Sequence, residues 1–211
     1  MKVLTLVNKK ILYDKSPIIY NKKLDETWRE DWQVMAGEWS QQDGALIGIE
    51  RGNRGGILLY KERFTKNVMM TFTVNTVLPA TRDLNAVFCA SWDEDKDDLG
   101  DAYVCGLNGW YEHKAGIERN VKGGGNAFAA LSATAFDYEY GTDIKMTVGA
   151  IDGHCFMYVN DKLVCEVVDG NNPLTEGRIG FSPYCTILKI KDIEIREIKY
   201  EPFLQSYEPE F

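Results

Sequence analysis

The sequence predicts an all-β, single-domain protein, and three observations carry that expectation. Apolar residues recur at every second position in several runs, the period of a half-buried strand. Turn-forming Asn, Asp and Gly punctuate those runs at short intervals. Helical periodicity is sparse. Many short strands between tight turns specify a sandwich or a barrel rather than a sheet covered by helices. At 211 residues, such a domain hides roughly 70% of its unfolded surface and needs no covalent staples.

The elements follow in order. Residues 3–7 give a five-residue apolar stretch closed by Lys9 and Lys10, too short for the apolar region of a secretory signal. Residues 24–32 are the best helical candidate, one or two turns with Asp25 as cap. Val68, Met70, Phe72 and Val74 alternate with mixed neighbours, as do Ile144, Met146, Val148 and Ala150. Residues 123–126 form a loop, and 127–135 read equally as short helix or small-residue strand. Cys155 to Val159, then Asn160-Asp161, then Lys162 to Val167 spell a hairpin, because Asn and Asp tolerate the positive φ of a tight turn. In 187–198 the apolar phase slips near Asp192, which predicts a bulge. With no linker, repeat or composition shift, residues 1–211 are one domain. The tail 200–211 carries Phe203, Tyr207 and Phe211 among acids and prolines. It is expected to lie as a surface strap or against a second copy, a route to a homo-oligomer.

Hydrophobic residues at 45% and charged residues at 27% exclude disorder. A net charge of −8 argues against nucleic acid and anionic membrane, which need a positive field. No segment approaches the ~20 apolar residues of a membrane-spanning helix. The five cysteines (Cys89, Cys105, Cys155, Cys165 and Cys185) form no C-x-x-C pair. They read as buried free thiols, which places the chain in the reducing cytoplasm.

Two blocks carry a family likeness. The first runs from Trp32 through Gly37-Glu38-Trp39 and Asp43-Gly44 to Gly55-Gly56-Ile57. The second runs from Asp152-Gly153-His154 through Asn160-Asp161, Pro173-Leu174 and Gly177-Arg178-Ile179-Gly180-Phe181 to Ile195. Their order resembles the concanavalin A-like proteins of bacterial sugar metabolism. It is similar to the YesU-type family of unknown function and, more distantly, to the keto-glycoside hydrolase or lyase domains. The resemblance spans roughly residues 28–198. It implies a two-sheet antiparallel jelly roll and a carbohydrate ligand. The alternating carboxylates on one strand that glycosidases of this superfamily often carry are missing, which sets the ordinary retaining mechanism in doubt.

The densest chemistry lies in residues 106–120, where Trp110, Tyr111, Glu112, His113, Glu118, Arg119 and Asn120 gather. A sugar site needs an aromatic face for the ring and planar polar groups for hydroxyl pairs. Trp110 and Tyr111 are the stacking candidates, joined by Trp92 and Tyr103. Arg119 and Asn120 are candidates for hydroxyl or carboxylate groups. Glu112, His113 and Glu118 are the catalytic candidates, His113 having a pKa suited to proton exchange. A turn at Lys114-Ala115 would bring Tyr111 opposite Glu118 and Trp110 opposite Arg119. A straight strand would instead hold Glu112 and Glu118 ~20 Å apart, beyond catalytic pairing. In the run 91–101, Asp93, Asp95 and Asp97 offer oxygen ligands for calcium, against the plainer reading of a solvated acidic loop. Residues 51–56 read as a turn, with Arg54 a candidate for a sugar carboxylate. Two functions stay open: an acid–base hydrolase or lyase, and a non-catalytic sugar-binding or accessory subunit.

Overall fold

The structure, a computed structural model, describes residues 1–52, 55–109, 112–122 and 129–204. The strands are short and follow one another with few interruptions. The first are β1 (Leu4–Thr5), β2 (Lys9–Ile11), β3 (Ile18–Tyr20), β4 (Trp32–Ala36), β5 (Glu38–Gln42), β6 (Ala45–Glu50) and β7 (Ile57–Tyr60). Then come β8 (Val68–Thr76), β9 (Leu84–Ala90), β10 (Trp92–Asp93), β11 (Asp98–Leu99), β12 (Ala102–Leu107), β13 (Lys114–Asn120) and β14 (Ala129–Ala135). The last are β15 (Ile144–Ile151), β16 (His154–Val159), β17 (Lys162–Val168), β18 (Arg178–Phe181), β19 (Thr186–Glu197) and β20 (Tyr200–Pro202).

Two antiparallel sheets stack as a jelly-roll sandwich. The front sheet runs β14-β13-β12-β9-β18-β7-β4, and the back sheet β17-β16-β15-β8-β19-β6-β5, with β3 also on β19. Their facing sides close one core, in which Phe72 and Trp32 of opposite sheets both meet the Phe181 ring, at 5.0 and 5.7 Å. The expected hairpin joins β16 to β17 through Asn160 and Asp161, both at positive φ. The bulge falls between Lys191 and Glu194 of β19, with Asp192 at φ 54°. Residues 24–32 condense to one 3-10 turn, Trp28–Glu30, and the ambiguous 127–135 contain the edge strand β14.

Both outward faces are partly covered. On the back sheet, Leu4, Leu6, Ile11 and Tyr13 of the N-terminal segment seal Phe156, Tyr158 and Ile151. Strand β20 of the tail pairs with β2, so the strap is stitched into this cover; residues 205–211, including Tyr207 and Phe211, lie outside the described residues. On the front sheet, the β10–β11 hairpin lays Leu99 and Trp92 over Ile57, Leu59, Val87 and Val104. The half of that face over β12, β13 and β14 is left to other chemistry.

Candidate functional site

Tyr103, Cys105 and Leu107 of β12 point into the core, so Val104 and Gly106 point outward. The same alternation puts Gly116 and Glu118 of β13 and Ala133 of β14 on the outer face, paired across Gly106 and Val104. Asn85 of β9 completes the row opposite Gly106. A Cβ on Gly106 would lie 1.8 Å from Asn85 Oδ1. The Asn85 carboxamide therefore lies directly over a floor from which side chains have been removed. The depression is lined by Asn85, Gly109, Lys114, Glu118 and Ala133 around that floor and encloses about 30 Å³. That holds two or so waters at ~10–15 Å³ each, so a sugar ring would rest on this surface rather than sink into it.

Three stretches meet at its upper end: 77–83, the pairs 108–109 and 112–113, and 136–142. Asn108 is their hub. Its Nδ2 donates to the Thr81 carbonyl at 2.6 Å and to the Tyr140 hydroxyl at 3.4 Å. Its Oδ1 accepts the His113 amide at 2.8 Å, and its carbonyl accepts the Asp83 amide at 3.1 Å. Asp83, Asn108 and His113 all adopt positive φ, which Asn, Asp and His take more readily than other side chains. Arg82 donates to the Gly109 carbonyl at 3.2 Å. Tyr138 and Tyr140 pack edge to face, with Tyr140 37% exposed on the rim.

Asp83 is the unusual group. It is 5% exposed, and its Oδ1 accepts from Asn85 Nδ2 at 3.1 Å. Oδ2 sits 3.3 Å from Arg82 Nε, close enough for an ion pair but misaligned for a hydrogen bond, and is left without a hydrogen-bond donor. Burial pushes this carboxyl up to about 6, with Arg82 and Asn85 pulling only partly back. Asp83 thus sits behind the depression, fixing the Asn85 carboxamide that lines it.

The sequence-derived candidates scatter. The connection between β12 and β13 falls between Leu107 and Lys114, not at Lys114-Ala115, and the strands pair Tyr103 with Arg119 and Val104 with Glu118. Lys114 and Ala115 are already strand; Asn108-Gly109 supplies the turn. Trp110 and Tyr111 lie outside the described residues, as does Arg54. Tyr103 is fully buried and donates to Asp169 Oδ2 at 2.8 Å, so it offers no face to a ligand. Arg119 points inward with it, bonding Asp169 at 2.7 Å and the carbonyls of Asn171 and Asn172; it pins the loop after β17. Asn120 holds the carbonyls of Leu99 and Gly100, clasping the acidic hairpin.

Glu112 is exposed in the turn, and Glu118 lines the depression. Glu118 stands four residues up β13 from Lys114, so the backbones of Glu112 and Glu118 are ~13 Å or more apart. His113 is exposed and contacts Asp137 Oδ1 at 2.5 Å through Nδ1. Trp92 is half-buried against the front sheet. Asp93 is buried beside Lys122 at 3.5 Å, while Asp95 and Asp97 are exposed. The hairpin's strand alternation spreads these acids. Among the described residues no three His, Cys, Asp or Glu side chains gather closely enough to hold a metal, so Asp93, Asp95 and Asp97 make no calcium cage. Asp83, Asn85, Asn108, Asp137 and Tyr140 were not singled out from sequence. Asn108-Gly109 was the signal available, and it would have moved the turn to its place.

No family model matches the chain, and no curated protein matches its sequence. Solved structures do match its fold. A Bacillus subtilis protein of unknown function with a galectin-like fold superposes at TM-score 0.69 and 15% identity, over 87% of this chain and 98% of that one. The carbohydrate-binding module CBM66 of Bacillus subtilis gives 0.65 and 13%, over 79% and 95%. The lumenal domain of VIP36, bound to calcium and Man3GlcNAc, gives 0.59 and 11%, over 99% and 93%. At such identities the likeness is one of fold.

Proposed function

We propose that the chain is a carbohydrate-binding domain whose ligand rests on the outer face of the front sheet, over Gly106 and Gly116. The observation that carries this reading is the Asn85 carboxamide, which lies on the glycine floor of the depression and is held from behind by the buried Asp83 carboxyl. The Asn85 carboxamide has an acceptor oxygen and a second N–H with which to meet neighbouring hydroxyls of one ring. The ring's apolar side would stack on Tyr140 at the rim. The fold likeness to a carbohydrate-binding module and to a Man3GlcNAc-bound lumenal domain supports the ligand class. The YesU-type likeness belongs to the same reading, as does a reducing compartment for the unpaired thiols.

Binding without cleavage fits the carboxylates best. Asp83 lies two residues along β9 from Asn85, and Glu118 two strands away, so their backbones are ~16 Å apart. A glycosidase pair needs ~5–9.5 Å between carboxyl groups. A second reading, acid–base cleavage with Glu112, His113 and Glu118, is favoured by one contact. The His113–Asp137 pair at the rim orients an imidazole towards solvent.

Calorimetric titration against a panel of neutral mono- and oligosaccharides tests the proposal. Asn85→Ala should weaken the best ligand about tenfold or more, the loss of one or two hydrogen bonds to a site that stays folded. Unchanged affinity in that variant would remove the site from the front sheet. Turnover lost on His113→Ala with affinity retained would establish the second reading.

A further inference from the structure

The other half of the front sheet's outer face holds a cation that no carboxylate answers. Arg178, at the start of β18, is half-buried and lies across β7 and β4. Its Nε donates to the Tyr60 carbonyl at 2.9 Å and its Nη2 to Gln33 Oε1 at 2.8 Å, while Nη1 reaches only the Met35 thioether at 3.9 Å. Burial holds its pKa below the ordinary arginine value. Four other arginines are paired with carboxylates. Arg63 pairs with Glu176, Arg82 with Asp83, Arg119 with Asp169 and Arg196 with Glu194. Glu176 is only two residues from Arg178, yet it turns to Arg63 at 2.7 Å. Among the described residues Arg178 has no acidic partner, in a chain with 32 acids.

A partly dehydrated guanidinium without a counter-ion is costly, and its fork is fixed by neutral acceptors on one side. Of its five N–H donors, two are taken by oxygen acceptors and one by the Met35 thioether, which leaves one N–H on each terminal nitrogen. Beside it, Met35 and Trp92 both pack on the apolar patch of the front sheet. Arg178 pairs with Ala90, two residues or ~7 Å of strand before Trp92. Asp93, next to Trp92, is buried against Lys122, away from any role as partner. A planar anion fork, an amide and a half-exposed indole thus share one surface.

We infer that Arg178, with Gln33, Met35 and Trp92, forms a second ligand site that accepts a carboxylate carried on a ring; on the carbohydrate reading above, on which the ring's identity rests, the ligand is a uronic acid. The carboxylate takes the open edge of the guanidinium in a bidentate pair, Gln33 adds its amide, and the ring lies along Trp92.

The test titrates the whole chain with glucuronate and galacturonate, the parent neutral sugars, acetate and inorganic phosphate. The wild type is compared with Arg178→Lys, Arg178→Gln and Gln33→Ala, each checked by thermal melt. A uronate should bind at least tenfold more tightly than its neutral parent. Arg178→Lys should lose about tenfold by losing the fork, and Arg178→Gln should abolish the uronate preference. Gln33→Ala, which leaves the guanidinium in place, keeps the test open should Arg178→Gln unfold; it should lose severalfold. Uronate affinity insensitive to Arg178 and Gln33 would overturn the inference, as would acetate or phosphate binding as well as uronate. Uronate binding that depends on Arg178 while no neutral sugar binds anywhere would sink the proposed front-sheet function and leave this site standing.

Discussion

Asp83 shows what a single residue's placement commits the protein to. Its carboxyl titrates near 6 when folded and near 3.8 when not, because burial penalises the anion. The protonated form is the one the fold favours. The resulting stability is complete below pH 3.8 and is lost as pH rises through about 6, a change of about 3 kcal/mol at most. Asp83→Asn, neutral at every pH, should flatten that slope. Urea melts from pH 4 to 8 check it, and parallel pH profiles in both proteins would contradict the assignment. None of this was visible in the sequence, where Asp83 is one acid among 32. Its shift arises from packing against loops that are distant in the chain.

Among the elements, the 106–120 segment teaches most. Its polar residues were legible as a cluster in the sequence, but not which of them share a face. Moving the turn from Lys114-Ala115 to the connection between Leu107 and Lys114 reassigns which side chains share a face. Glu118 then lines the outer depression, while Arg119 turns inward to Asp169. Arg119 is thus a positioning residue for the loop after β17, where Tyr103 accepts the Leu174 amide at 2.9 Å. Arg119→Ala would leave Asp169, itself 7% exposed, as an uncompensated buried charge. We expect a loss of ~3–5 kcal/mol in denaturant melts, with sugar affinity of the folded fraction unchanged. A stable variant with impaired binding would return Arg119 to the ligand. By contrast, the β16–β17 hairpin and the β19 bulge were legible because each is a local matter of turn chemistry or alternating phase.

For the whole molecule, alternation and turn spacing were enough to reach an all-β fold, and the order of the blocks suggested the jelly roll. The covers on the two outer faces were not legible. They depend on the chain ends meeting as β1, β2 and β20, and on the β10–β11 hairpin folding over apolar residues of the front sheet. The five free thiols are a global readout of that closure. Cys105, Cys155 and Cys165 are buried, and burial pushes the half-buried Cys89 up to about 12. Only Cys185 is exposed. Ellman's reagent should titrate one thiol quickly in the native protein and the rest only on unfolding. Two or more fast thiols would mean that the sandwich opens readily.

The most direct test of the central claim is an amide chemical-shift titration of the labelled protein with the best-binding neutral sugar. The amides of Asn85, Gly106, Gly109 and Gly116 should move together and saturate, and Asn85→Ala should remove the response. Shifts confined to the back sheet or to the N-terminal cover would contradict a site on the outer face of the front sheet.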